Sequence, residues 1–200
     1  MDTQLKPWKG EVTIHPIGRP EDVVFESPNV IVTASQYLVA RLMTNPAIPL
    51  AGVWGLALGS GQPSWTDTNF PDPSPTQSSL YSEVLRKPLA NVQYLDTNGN
   101  PTANVTNVAL FSTIINATTD GLTGTRIQEM GLIGGGLAAT YSAPGVINTP
   151  ATVMTDIVNV PYFDPTVGNL NSVILINYRT TPPIYFPPGV SMAINWRVSF

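Results

Sequence analysis

The chain has no cysteine, and that one absence removes disulfides, thiolate metal sites and cysteine nucleophiles together. Histidine is almost missing too. His15 is the only one, so no multi-histidine metal centre can form, and general-base work would require a partner held beside it. Charge is scarce: 11% of residues are Asp, Glu, Lys or Arg, against roughly 25% in an ordinary soluble domain. The balance is −4, with a pI near 4.7. No run of Lys or Arg interleaves with aromatics, which argues against direct nucleic-acid binding. Long apolar runs are lacking as well. The most apolar stretch, residues 47–58, is too short for a bilayer and contains Pro49 and Gly52. The opening Met1–Trp8 has no signal-type apolar segment. The expectation is a chain made in the cytosol, without a membrane span. A surface so poor in charge is either covered by neighbours or polar without charge.

What is present points to β-structure. Apolar residues make up 42% of 200, enough for the core of one domain. Twenty prolines and 16 glycines are spread along the whole length, and both residue types interrupt helices. Residues 1–28, cut by Pro7, Gly10, Pro16, Gly18, Pro20 and Pro28, read as an extended N-terminal arm, in which Val12-Thr13-Ile14 and Val23-Val24-Phe25 could each add an edge strand, reaching a neighbour or folding back on the domain. Residues 29–200 read as the domain, with a proline-rich loop at 62–79. One helix of about ten residues is predicted after Thr33 or Ser35, either of which can cap it. Leu38 and Leu42 would stack at i and i+4, and Asn45-Pro46 would end it.

Strands are predicted at residues 29–32, 52–59, 91–96, 104–113, 126–133, 153–160 and 172–178, with Asn98-Gly99 as a hairpin turn. Residues 80–88 fit strand or helix. The closing segment is the clearest: Met192, Ile194, Trp196, Val198 and Phe200 alternate with small or polar residues, the period of a half-buried strand. The predicted fold is mainly β, an antiparallel β-sandwich of jelly-roll-like form with one short α-helix and long loops.

Motifs for chemistry are few. Gly134-Gly135-Gly136-Leu137-Ala138-Ala139 formally matches G-x-G-x-x-A, but Pro144 and Gly145 follow closely and deny it the helix that a dinucleotide site requires. Asp67, Asp72, Glu83, Asp96, Asp120, Glu129, Asp156 and Asp164 are dispersed, and Asp96, Asp120 and Asp164 adjoin turn residues that their side chains can stabilise. No catalytic residue, metal ligand or cofactor is assigned. Trp54 and Trp196 read as core. Trp8 in the arm and Trp65 in the loop read as exposed anchors for a protein interface, with sugar stacking as the alternative.

Four segments together resemble a group of tail-associated bacteriophage virion proteins. They are Asn29–Thr33 followed by Tyr37–Leu42; Trp54–Gly61, with its Gly59-Ser60-Gly61 ending; Gln128-Glu129-Met130-Gly131-Leu132-Ile133; and the closing Val190–Phe200. The resemblance implies a non-enzymatic tail, baseplate, collar or fibre-attachment subunit in the virion, packed in several copies against other structural proteins. It supplies no binding residue. A capsid decoration protein is the near alternative. A carbohydrate-binding module for a host-surface glycan and a two-carboxylate depolymerase are the alternatives of other kinds.

Overall fold

The computed structural model describes residues 8–44, 52–135, 162–163 and 172–200. Its elements in chain order are β1 (Lys9–Pro16), β2 (Phe25–Ile31), α1 (Ser35–Thr44), β3 (Val53–Gly59), β4 (Glu83–Pro88), β5 (Asn91–Leu95), β6 (Pro101–Thr102), β7 (Val108–Asn116), β8 (Ile127–Gly135), β9 (Val173–Leu175), β10 (Asn177–Ile184) and β11 (Ser191–Ser199). The fold is mainly β and antiparallel, with one short helix, as the sequence predicted. Neighbouring strands follow the order β4-β3-β8-β10-β2-β1-β11-β7-β5-β6, and β9 pairs with β8.

The path divides into two halves of different character. In β2-β1-β11-β7-β5 the central strands β1, β11 and β7 alternate. Val12 and Ile14 of β1, Ala109, Phe111, Thr113 and Ile115 of β7, and Met192, Ile194, Trp196 and Val198 of β11 point inward. Register keeps these inward residues in step: Val12 pairs with Trp196, which pairs with Phe111. In β4-β3-β8-β10 the central strands do not alternate. Every residue of β8 is buried, as are all of β3 after Val53, which requires cover on both faces. On one face Leu56, Leu58, Met130 and Leu132 join a core that also holds Ile14, Phe111, Ile194 and Trp196 from the other half. Both halves thus enclose one core, an arrangement compatible with the expected sandwich. On the opposite face Trp54, Ala57, Ile133, Leu175 and Tyr178 form a second cluster with Val32 and Leu80.

Two boundaries differ from expectation. The arm assigned to residues 1–28 does not hold for residues 9–28. β1 lies inside the sheet, paired with β11 along its whole length and with β2 at Gly10–Ile14. Prolines exclude a helix there but not a strand, and Pro16 sits at the strand end, where a missing N–H costs nothing. The expected pairing of residues 91–96 with 104–113 is present as β5 with β7, but the Asn-Gly turn, with Gly99 at φ 85°, first joins β5 to the additional two-residue β6. The ambiguous residues 80–88 contain the strand β4. The strand expected over 153–160 and Asp164 lie outside the described residues.

The Asp96 side chain builds the β5–β6 turn by accepting from the N–H groups of Asn98 and Asn100, both at 2.8 Å. The Asn100 bond first, then that of Asn98, holds its carboxyl below the usual carboxylate range. A lowered folded-state pKa makes the contribution of Asp96 complete above the ordinary aspartate value, and it is lost as pH falls through the lower one. An NMR titration should find the Asp96 carboxyl midpoint below that of a free aspartate. In Asp96→Ala the Asn98 and Asn100 amides should exchange faster with solvent.

Candidate functional site

The loop between β3 and β4 is not a free appendage. It is fastened across the outer face of β8 and β10 at many points along its length. Gln128 Nε2 donates to Thr66 O at 3.0 Å, Arg126 Nη2 to Trp65 O at 3.0 Å, and Thr180 Oγ1 to Pro71 O at 2.8 Å. The Thr33 N–H donates to Pro75 O at 2.7 Å, tying the loop to the entry of α1.

The centre of this attachment is Glu129, on β8 and with no exposed surface. Its Oε1 accepts from the N–H groups of Ser82 at 2.8 Å and Gly61 at 3.3 Å. Its Oε2 accepts from the Tyr81 N–H at 3.0 Å and the Tyr178 hydroxyl at 2.9 Å. A buried carboxylate is tolerated when its lone pairs are occupied by donors. Here the donors come from both ends of the loop, so one side chain closes it. Burial first, and the Glu129 charge second, raise the Tyr178 pKa far above its ordinary value, which keeps the hydroxyl a donor.

The two glycine-bearing motifs belong to this one device. A Cβ at Gly59 would fall 2.5 Å from Glu129 Oε1, so only glycine leaves room for the carboxylate. Gly61 has φ 73°, and a Cβ there would lie 2.3 Å from the Trp65 ring. A Cβ at Gly131 would lie 2.4 Å from the Asn177 carbonyl oxygen, where β10 passes β8 closely. Gly61→Ala combines a backbone conformation that L-residues avoid with a clash against a large ring. It should destabilise the fold by about 2–3 kcal/mol, read as a lower denaturation midpoint.

The expectation that Trp65 is exposed is corrected by its position. It is 5% exposed, meets the Tyr81 ring edge-on at 5.5 Å and sits over Gly61. Proline and polar residues around it suggested solvent, but the loop folds back and uses Trp65 as its own small core. Trp54, expected in the core, is there, and its Nε1 donates to Gly135 O at 3.1 Å. Trp8 is half-buried beside the end of β11, T-shaped against Phe200 at 5.1 Å. It borders an open groove of about 390 Å³, lined also by Glu11, Asn29 and Arg197. The structure therefore separates the two tryptophans by role: Trp8 borders a surface and Trp65 fills an interior.

The remaining buried charges are also tied within the fold. Lys87 Nζ donates to both Asp120 oxygens, at 2.7 and 2.6 Å, joining β4 to the turn after β7. Asp120 Oδ2 accepts in addition from the Asn116 N–H at 2.8 Å. Arg86 pairs with Glu83 and lies 4.7 Å from the centre of the Tyr162 ring, whose hydroxyl donates to Glu83 at 2.6 Å. His15 is a bonded surface residue: Nδ1 donates to Pro16 O at 3.0 Å, which leaves Nε2 to accept from Asn195 Nδ2 at 2.9 Å.

Sequence reasoning missed Glu129 as a centre and grouped it with dispersed carboxylates. The available signal was its setting, a charge between Ile127 and Met130-Gly131-Leu132-Ile133 in a strand otherwise without ionisable groups. Among the described residues no three His, Asp or Glu side chains gather to hold a metal ion, and no helix is long and apolar enough to cross a membrane. No protein-family model matches the chain, and no curated protein is significantly similar to it.

Proposed function

We propose that this chain is a non-enzymatic structural protein that works by packing against other protein subunits, of the tail-associated bacteriophage virion type. One observation carries the reading. The Gly59-Ser60-Gly61 and Glu129-Met130-Gly131 motifs, on which the resemblance partly rests, meet as the clasp that fixes a 20-residue-scale loop on the sheet. Residues with chemical potential there serve to hold shape. All four of the acceptor positions used on Glu129 are filled from within the fold, which suits an internal tie more than a general base. The low charge of the sequence fits a surface meant for neighbours.

The test is mass spectrometry of gradient-purified particles, followed by cryo-microscopy to place the chain. Stoichiometric presence on the tail is the expected result. Placement on the shell would favour a decoration protein, and absence from particles would overturn the proposal. The groove beside Trp8 favours a second reading, a carbohydrate-recognition module, because an aromatic wall stands next to a carboxylate, an amide and a guanidinium. Quenching or enhancement of Trp8 fluorescence by a glycan found on an array would support it.

A further inference from the structure

The outer face of β2-β1-β11-β7-β5 has no element over it among the described residues, and register arranges its side chains in rows. One row runs Pro28, Glu11, Arg197, Leu110, Gln93. The next runs Glu26, Thr13, Asn195, Ser112, Asn91. A third runs His15, Ala193, Ile114, extended by Val24, whose N–H bonds to Ile14 O at 2.8 Å just past the last β1–β2 pair. Ile114 and Val24 are exposed at 41% and 58%.

Among the described residues, the charges on this face stand without ion-pair partners of their own. Arg19, Arg86, Lys87 and Arg126 each have a carboxylate partner in the fold. Lys9, Glu11, Glu26 and Arg197 have none among the described residues, although Glu11 and Arg197 are direct cross-strand neighbours. They are two cations and two anions, a neutral set on a chain of net charge −4. A neutral face with both signs unpaired can complement itself.

We propose that this face is a two-fold interface between two copies of the chain. The register specifies how. An axis parallel to the strands and lying between β1 and β11 places each β1 over β11 of the second copy. Glu11 then faces Arg197 of the second copy, and the reverse, so this opposite-charge pair forms twice across the axis, while Lys9 faces Ser199 and Glu26 faces Ser112. The same operation sets Pro28 against Leu110 and Val24 against Ile114, which covers the exposed aliphatic residues at both margins. Parallel placement of the strands agrees with the way two twisted sheets stack, within about 30°. The four overlapping strands, about 4.8 Å apart and about 23 Å long, give a patch that, counted on both copies, is about 900 Å², at the small end for a specific interface. The inference deepens the packing reading by naming one partner, a second copy. It fails separately from it, because particle location and self-association are different measurements.

The test is sedimentation velocity of the full chain across a micromolar concentration series, with circular dichroism as a control for folding. The wild type should dimerise. Glu11→Arg and Arg197→Glu alone should each weaken the dimer by at least about tenfold, since each sets like charges against one another. The exchange variant E11R/R197E should recover most of the wild-type affinity. A monomeric wild type, a dimer indifferent to both single reversals, or an exchange variant as weak as the singles would each overturn the proposal. Protection of this face only in assembled particles would give it to another protein and would overturn it too.

Discussion

Glu129→Ala is expected to destabilise the protein by about 3–5 kcal/mol, measured as a fall in the midpoint of equilibrium denaturation. The substitution leaves the N–H groups of Gly61, Tyr81 and Ser82 without their acceptor and the Tyr178 hydroxyl without its own. Each buried donor left unpaired costs about 1–3 kcal/mol, and partial entry of water into the gap against Gly59 keeps the total below a simple sum. Glu129→Gln should cost about half as much. Its carbonyl can still serve Gly61 and Ser82. Its amide group then faces the Tyr81 N–H, donor against donor, while the Tyr178 hydroxyl can turn to accept. The readout that separates this clasp from ordinary core packing is local. Amide exchange in the β3–β4 loop, at Trp65 to Leu80, should rise more than exchange in β7 or β11.

Lys87→Met should cost about 3–5 kcal/mol by the same measurement, for a different reason. Asp120 is 3% exposed at its side chain, and without Lys87 it would keep one donor, the Asn116 N–H. The damage lies in the uncompensated charge, not in the loss of the pair as such. The double variant K87M/D120L should therefore recover much of the loss, and the coupling between the two sites should be large and favourable. Additive effects of the two single changes would show that the pair is energetically unimportant.

The parts of this fold that the sequence made legible are those where one local pattern decides. The alternation from Met192 to Val198 marked a strand with one buried face, although Phe200, expected on that face, lies past the strand end and is exposed, and Pro46 after Asn45 bounded the helix α1. β1 was harder. Val12-Thr13-Ile14 was legible as a possible edge strand, but prolines at 7, 16, 20 and 28 hid that it is an interior strand, paired on both sides. The clasp was illegible for a physical reason: its members are 68 residues apart in sequence at Gly61 and Glu129, and nothing local to either announces the other. Trp65 shows the same limit. Its neighbours are polar and proline-rich, yet what covers it is Tyr81 and the Gly61 backbone, brought together by the loop's return. The two segments that carried the family resemblance at Gly59–Gly61 and Glu129–Gly131 have a stated cause in packing: a side chain at Gly59 or Gly131 would collide with Glu129 or with β10.

The short crossing from β4 to β5 has a consequence for how the sheet margins behave when copies of the chain meet. Only Leu89 and Ala90 separate the first strand of the path from its next-to-last, and their N–H groups bond to Trp54 O and Ser112 O, one in each half. The terminal strands are thereby kept poor templates for recruiting foreign chains. β6 is two residues long and begins with Pro101, while β4 ends in Pro88 and carries Arg86 and Lys87 in fixed pairs. Short length, proline and charge are the features that blunt a sheet margin against runaway fibril growth. Crowded copies of this chain should accordingly stay clear of amyloid-like stacking.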